Sequence, residues 1–228
     1  MSVPFEPRVA LASLSGAADA QWARQAADHA GAAFLGGIAL DDPTREAARA
    51  LVARDREEFL PADPLAFVDE QLGALADAPI RAGFNVRAAG PEPVAAAASV
   101  CADHDAILEI NAHCRQDEMC AAGAGESLLR DTDRLRAQVA AAAEDAGADV
   151  LHVDAMDTEA VIADVADASD CFLVANNEVR DRASVREYLG HGADAVSVGR
   201  ASDDPAVMQT VREATDEWVI ERRVEGQR

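Results

Sequence analysis

The sequence contains no lysine; its 20 basic residues are all arginine, set against 42 Asp and Glu. Without a Lys the chain cannot form a Schiff base with a carbonyl substrate, which excludes one common aldolase chemistry. Aromatic residues are scarce, at 4% of the chain, and Trp22, Trp218 and the few Phe read as core or helix packing. The four cysteines, Cys101, Cys114, Cys120 and Cys171, form no C-x-x-C pair, so they read as reduced thiols rather than as a metal or disulfide framework. No apolar run reaches the length that spans a membrane. The start, Met1 to Pro7, has neither a basic head nor an apolar stretch, so it does not read as a secretion signal. These absences give the expectation of a cytoplasmic protein with no membrane partner.

Half of the residues are apolar, mostly Ala and Val, enough to bury a full core. The net charge of −22 would suggest disorder in a chain of lower apolar content. Here the apolar residues are too many and too periodic, and the acidity is read as a halophilic surface adapted to molar salt. At that ionic strength the Debye length is about 3 Å and self-repulsion is largely screened. A polyanion also repels RNA and anionic membranes, an effect that molar salt softens.

Short β-rich runs alternate with Ala-rich helical stretches, the pattern of parallel βαβ units. Strands are predicted at Val9–Ser13, Ala33–Gly37, Ile80–Val86, Ala106–Asn111, Asp149–Asp154, Cys171–Asn176 and Ala195–Gly199. Helices are predicted at Asp19–His29, Thr44–Arg56, Pro64–Ala76, Pro93–Ala102, Leu128–Ala146, Thr158–Ala168, Ala183–Leu189 and Pro205–Glu221. Two phrases, Ala146-Gly147-Ala148-Asp149 and His191-Gly192-Ala193-Asp194, read as a helix-ending Gly followed by a new strand. The first turn, Ser13 to Asp19, lacks the G-x-G-x-x-G of a dinucleotide fold. The expected fold is therefore a single α/β domain over residues 1–228, a parallel (β/α) TIM-type barrel with one β/α unit missing.

In such barrels the site lies at the carboxyl ends of the strands. Alternate residues share a face, so Glu109 pairs with Asn111 and His152 with Asp154, while Asn176 ends its strand before Asn177 and Glu178. The last strand ends in Gly199-Arg200, and a helix starts at Pro205. Close backbone approach, a bidentate donor and helix-start N–H groups together read as a phosphate position. Cys114 lies between His113 and Arg115, where its thiol is a candidate acid or nucleophile.

Several segments resemble the tRNA-dihydrouridine synthases, flavin barrels related to dihydroorotate dehydrogenase, and a short archaeal group of barrel proteins related to them. Leu11-Ala12-Ser13-Leu14-Ser15-Gly16-Ala17-Ala18-Asp19 resembles their L-A-P-M-x-G-x-T-D turn, and Ile110-Asn111-Ala112-His113-Cys114-Arg115 their I-N-x-G-C-P. Gly123 to Leu129 resembles the G-x-x-L-L region. Val174 to Val179 resembles V-I-A-N-G-D-I, and Gly192 to Arg200 resembles G-A-D-G-V-M-I-G-R. The resemblance implies FMN, with Asn176, Gly199 and Arg200 at its phosphate end; Ser13, Asn85 and Asn177 are further candidate cofactor-binding residues. It implies that Asn111 lies near the flavin ring and substrate and that Cys114 protonates a uracil carbon as hydride arrives from the flavin; with His152 and Asp154, taken from strand parity, these are the candidate catalytic residues. It implies no metal ligand.

The chain departs from that pattern in three ways. The unit carrying a V-K-I-R strand, whose Lys contacts the flavin, is missing between Cys114 and Asp149. Asp154-Ala155-Met156 replaces H-G-R, and a helical tRNA-gripping domain is not expected beyond the helix at Pro205–Glu221. A free pyrimidine or another small heterocycle therefore fits this chain better than tRNA as partner. Three readings stand: an FMN-dependent oxidoreductase acting on a uracil-like ring; a non-flavin barrel binding a phosphorylated small molecule as lyase, isomerase or binding protein; and a metal or iron–sulfur site built from Cys and His.

Overall fold

The computed structural model describes residues 3–143, 150–155, 160–168 and 170–225. The chain runs β1 (Val9–Leu11), α1 (Ala20–Ala26), β2 (Ala32–Ala39), α2 (Asp42–Val52), α3 (Pro64–Gly73), β3 (Arg81–Arg87), α4 (Pro91–Asp103) and β4 (Ile107–Ile110). Next come α5 (Asp117–Ala121), α6 (Ser127–Arg130), α7 (Thr132–Ala143), β5 (Val150–Asp154), α8 (Ala160–Ala168), β6 (Phe172–Asn176), α9 (Arg182–Gly190) and β7 (Ala195–Val198). A 3-10 turn at Arg200–Asp203 leads into α10 (Pro205–Glu225). The phrase Ala146 to Asp149, Met156, and the predicted start of the helix at Thr158 lie outside the described residues.

The acidic composition is put to use at helix starts. Asp19, Asp41, Asp63 and Asp181 each cap a helix by accepting backbone N–H groups, and Asp41 and Asp181 form capping boxes with Thr44 and Ser184. A carboxylate at an N-terminus also meets the positive end of the helix dipole. The predicted single helix Leu128–Ala146 is broken instead: Asp131 leaves the helical region at φ −123° and accepts from the N–H of Arg134 at 3.1 Å, starting α7.

All seven strands are parallel, in the order β4-β3-β2-β1-β7-β6-β5. This is the circular order of a TIM-type barrel, with β1 paired to both β2 and β7 and the sheet open between β4 and β5. The opening falls where the sequence lacks one β/α unit. Burial agrees with it: β1, β2 and β7 are buried along their whole length, whereas every residue of β4 and β5 is half-buried.

Two apolar layers hold the sheet. The larger lies between strands and helices and includes Val9, Leu11, Leu35, Phe84, Val86 and Val196. The smaller fills the amino end of the barrel interior, where Ala10, Ala32 and Ala195 leave room for Phe5, Phe34 and Phe172. Phe5 meets Phe172 edge-on at 5.4 Å between ring centres, so the N-terminal segment plugs that end. The interior toward the carboxyl ends has no such filling and carries polar side chains. Among the described residues no helix is long and apolar enough to cross a membrane.

Candidate functional site

The period-2 alternation of the strands puts Asn85, Glu109, His152 and Ser197 on the interior, one from each of β3, β4, β5 and β7. They form one chain of hydrogen bonds. His152 Nδ1 lies 2.5 Å from Glu109 Oε1, and its Nε2 lies 2.7 Å from Ser197 Oγ. Asn85 Nδ2 donates to Glu109 Oε2 at 2.6 Å, and Asn111 Nδ2 donates to Asn85 Oδ1 at 3.0 Å. Asn111 Oδ1 then accepts from the backbone N–H groups of His113 (3.3 Å) and Cys114 (3.0 Å), fixing the loop after β4. With Nδ1 facing a carboxylate, that nitrogen carries its hydrogen. Nε2 then accepts from the Ser197 hydroxyl in the neutral ring and donates to it in the imidazolium. The imidazole is stacked on Phe34 at 5.0 Å.

The same chain spans the barrel's opening. Where a backbone ladder is missing between β4 and β5, the Glu109–His152 contact ties the two edge strands together. Burial pushes the Glu109 carboxyl up, but the adjacent His152 charge and hydrogen bond outweigh it. Together with His113 and Asn85 they leave Glu109 below the usual carboxylate range. Burial pushes His113 down, against the pull of Glu109 and Asp154, so this ring is held neutral more readily than a free imidazole.

Asn85 reaches its place because β2 gives way. The β2–β3 register shifts between Gly36 and Ile38, and a Cβ on Gly37 would lie 2.3 Å from Asn85 Oδ1. Beyond Asn85, Arg87 is buried in an ion pair with Glu58 and also donates to the Gly37 carbonyl; its Nε has no partner. Asn176 Nδ2 donates to Asp154 Oδ2 at 3.4 Å, while Asp154 Oδ1 is buried without a partner.

At the carboxyl ends of β6 and β7 the backbone is unusual. Asn177 stands where the resembling pattern has Gly, and takes φ 119°, the region that favours glycine; Glu178 follows at φ 51°. Tyr188 anchors the turn by donating to the Asn177 carbonyl at 2.9 Å. A Cβ added at Gly199 would meet nothing within 4 Å. Arg200 is exposed and opens the 3-10 turn directly after it. The start of α10 lies one turn further on, and its Ala206 N–H is taken by the Asp204 carboxylate at 2.9 Å. The open backbone is thus at Gly199 rather than at Pro205.

The structure brings Asn85, Asn111 and His152 together, sets Asp154 beside Asn176, and places Ser13, Asn177, Gly199 and Arg200 at the same end of the barrel. Cys114 stands apart from the cavity between β4 and β5. It packs against the cluster of Ala39, Leu51, Met119 and Ala124, while His113 and Arg115 on either side of it line that cavity. Sequence reasoning noted Glu109 without assigning it a role and missed Ser197, Phe34 and the Arg87–Glu58 pair. The parity of Glu109 with Asn111, and of Ser197 with Gly199, was the available signal. None of the four cysteines forms a disulfide, and burial pushes the Cys101 thiol up to about 12. Among the described residues, no group of three or more His, Cys, Asp or Glu is placed to hold a metal ion.

Comparison with known proteins bears on the fold. No family model matches the chain. An uncharacterized protein of Methanocaldococcus jannaschii is 28% identical over 134 residues, 58% of this chain and 52% of that protein. The chain thus spans about half the length of the curated relative it matches. Among solved structures, a FabK variant from Thermotoga maritima superposes with a TM-score of 0.56 at 16% identity, covering 87% of this chain and 62% of that one. BexX in its complex with CysO from Amycolatopsis orientalis gives 0.53 at 18% identity, covering 96% and 92%. Thiamine phosphate pyrophosphorylase from Pyrococcus furiosus gives 0.51 at 12%, covering 92% and 96%. At these identities the likeness establishes the fold, an α/β barrel of TIM type.

Proposed function

We propose that this chain is a flavin-dependent oxidoreductase resembling the dihydrouridine synthases, binding FMN and reducing a conjugated double bond of a uracil-like ring. The observation that carries the reading is the convergence of the polar network from β3, β4, β5 and β7 with the open Gly199–Arg200 backbone at one end of the barrel. The buried polar atoms without a partner at that end include a donor on Arg87 Nε and the hydroxyl of Ser202. A donor on Arg87 Nε suits a carbonyl of a pyrimidine-type ring, and the Ser202 hydroxyl lies two residues beyond Arg200 at the phosphate end, so the residues present fit a flavin or its substrate.

In this reading Asn176, Asn177, Gly199 and Arg200 hold the phosphate end, with Ser13 beside Gly199 at the end of the adjacent strand β1. Asn85 and Asn111 orient the ring edge. When bound, the flavin supplies hydride. The proton goes to the ring from Cys114, whose backbone Asn111 fixes, while the Glu109–His152 pair holds the neighbouring charge constant. With no Lys in the chain, the cation that the resembling family sets against the flavin is missing, so FMN binds weakly. Titration of the protein with FMN by fluorescence quenching tests the reading. Arg200→Ala should weaken binding about ten-fold or more, as for loss of a hydrogen bond to a charged group. An unchanged dissociation constant rejects the phosphate assignment. Cys114→Ala should abolish turnover and His113→Gln should not; the reverse pattern moves the acid to His113.

One observation favours a second reading, an acid–base barrel without flavin that acts on a phosphorylated small molecule as a lyase or isomerase. The Glu109–His152–Ser197 chain is a complete proton relay by itself. A protein that is colourless and binds phosphate sugars but not FMN selects this reading.

A further inference from the structure

The gap between β4 and β5 holds a cavity of about 890 Å³, within the range of small-molecule sites. Its lining includes residues from both faces of β4 and β5, as only a gap between two strand edges allows. Leu129, Leu135 and Val139 of α6 and α7 close it from outside, and Leu151 and Val153 continue that apolar wall. Glu109, His113, His152 and Asp154 form the polar wall on the strand side, and Arg81, Arg115 and Glu126 complete the polar lining. None of Ser13, Asn176, Asn177, Gly199 or Arg200 lines it, so it is distinct from the phosphate position.

The charges around the cavity are unevenly satisfied. At the amino end of the gap, beside Pro4, Arg81 donates to the Pro4 carbonyl at 3.0 Å and reaches Asp105 at 3.4 Å but keeps a buried Nε without a partner, and Arg115 lies 3.7 Å from Glu126. Glu109 is held by His152 and Asn85. Asp154 keeps one buried oxygen with no partner. An unpaired buried acceptor on a carboxylate calls for a donor, most strongly a cationic one.

We propose that the β4/β5 gap is a lateral binding site for a small molecule with an apolar body and a protonated amine, its nitrogen on Asp154 and its body against Leu135, Val139 and Leu151. Within the gap such a molecule lies beside the Glu109–His152 pair, whose side chains line the same cavity. This assignment does not rest on the flavin reading.

The test uses the full chain and three matched probes, cyclohexylamine, cyclohexanol and cyclohexanecarboxylate, followed by ligand-observed NMR. The amine is expected to bind, the alcohol more weakly, and the carboxylate not at all. Leu135→Trp fills the cavity and should remove amine binding. Val139→Phe, a smaller change in case the Trp variant does not fold, should weaken it several-fold. Asp154→Asn should weaken it about ten-fold or more while leaving alcohol binding unchanged. FMN titration of Leu135→Trp is expected to match the wild type, which separates a failure here from a failure of the flavin reading. Carboxylate bound as well as the amine, amine binding that survives in a folded cavity-filled variant, or no binding of any probe would overturn the proposal.

Discussion

Replacing His152 by Ala should be among the most destabilising single changes in the protein, because this ring does three jobs. It hydrogen-bonds Glu109 and Ser197, stacks on Phe34, and joins two strand edges that share no backbone ladder. The His152 and Glu109 side chains are each only 12% exposed. Removing the imidazole leaves the carboxylate with Asn85 as its remaining hydrogen-bond partner. Breaking a buried pair from one side costs about 3–5 kcal/mol. Against a total stability of about 5–15 kcal/mol, that is a large fraction. Glu109→Gln keeps the volume and loses only the charge, so it should cost about 1–3 kcal/mol. In the double variant no uncompensated carboxylate remains, and the loss should fall short of the sum by about 0.5–3 kcal/mol. Urea denaturation in molar potassium chloride gives all three values. A His152→Ala cost under about 1 kcal/mol, or strict additivity, would show that the contact does not hold the gap closed.

Stability should rise with pH across the acid range. Glu109 binds its proton less readily folded than unfolded, so its contribution is present above the ordinary glutamate range and lost as pH falls through its lowered folded value. His113, also lowered, adds a loss once pH drops below the ordinary imidazole value, where only the unfolded chain takes up the proton. Denaturation midpoints against pH check both, and His113→Gln should flatten the part of the curve near neutrality. Gly37→Ala would push a Cβ to 2.3 Å from Asn85 Oδ1 and should cost about 1–3 kcal/mol; a neutral effect in thermal melting would mean that Asn85 is not held where it is described. With a net charge of −22, the melting temperature should climb between dilute buffer and molar salt as repulsion is screened, and equal stability in both would reject the halophilic reading.

The strands were legible because parallel strands buried on both faces carry near-continuous apolar runs, and all seven expected runs overlap an observed strand. The edges were harder. β2 extends to Ala39 rather than Gly37, since the Gly pair marks a register shift and not a strand end. The break at Asp131 was hidden because a carboxylate inside an Ala-rich helical pattern reads equally as a surface residue or a cap. The missing β/α unit was visible as too short a span between Cys114 and Asp149, and the open sheet edge lies there. In the site, parity along each strand grouped Glu109 with Asn111 and His152 with Asp154. What parity cannot show is which strands face each other across the interior. The hub role of Glu109 and the link to Ser197 therefore needed the barrel's closure. Arg87–Glu58 was out of reach for the same reason: Glu58 comes from the segment between α2 and α3, which has no periodic signal.

The absorbance spectrum of the protein purified in molar salt tests the central claim most directly. The account predicts flavin bands, present as isolated or restored by added FMN, that bleach on chemical reduction and are diminished in Arg200→Ala. A colourless protein that takes up no FMN at any concentration, while remaining folded, would contradict it.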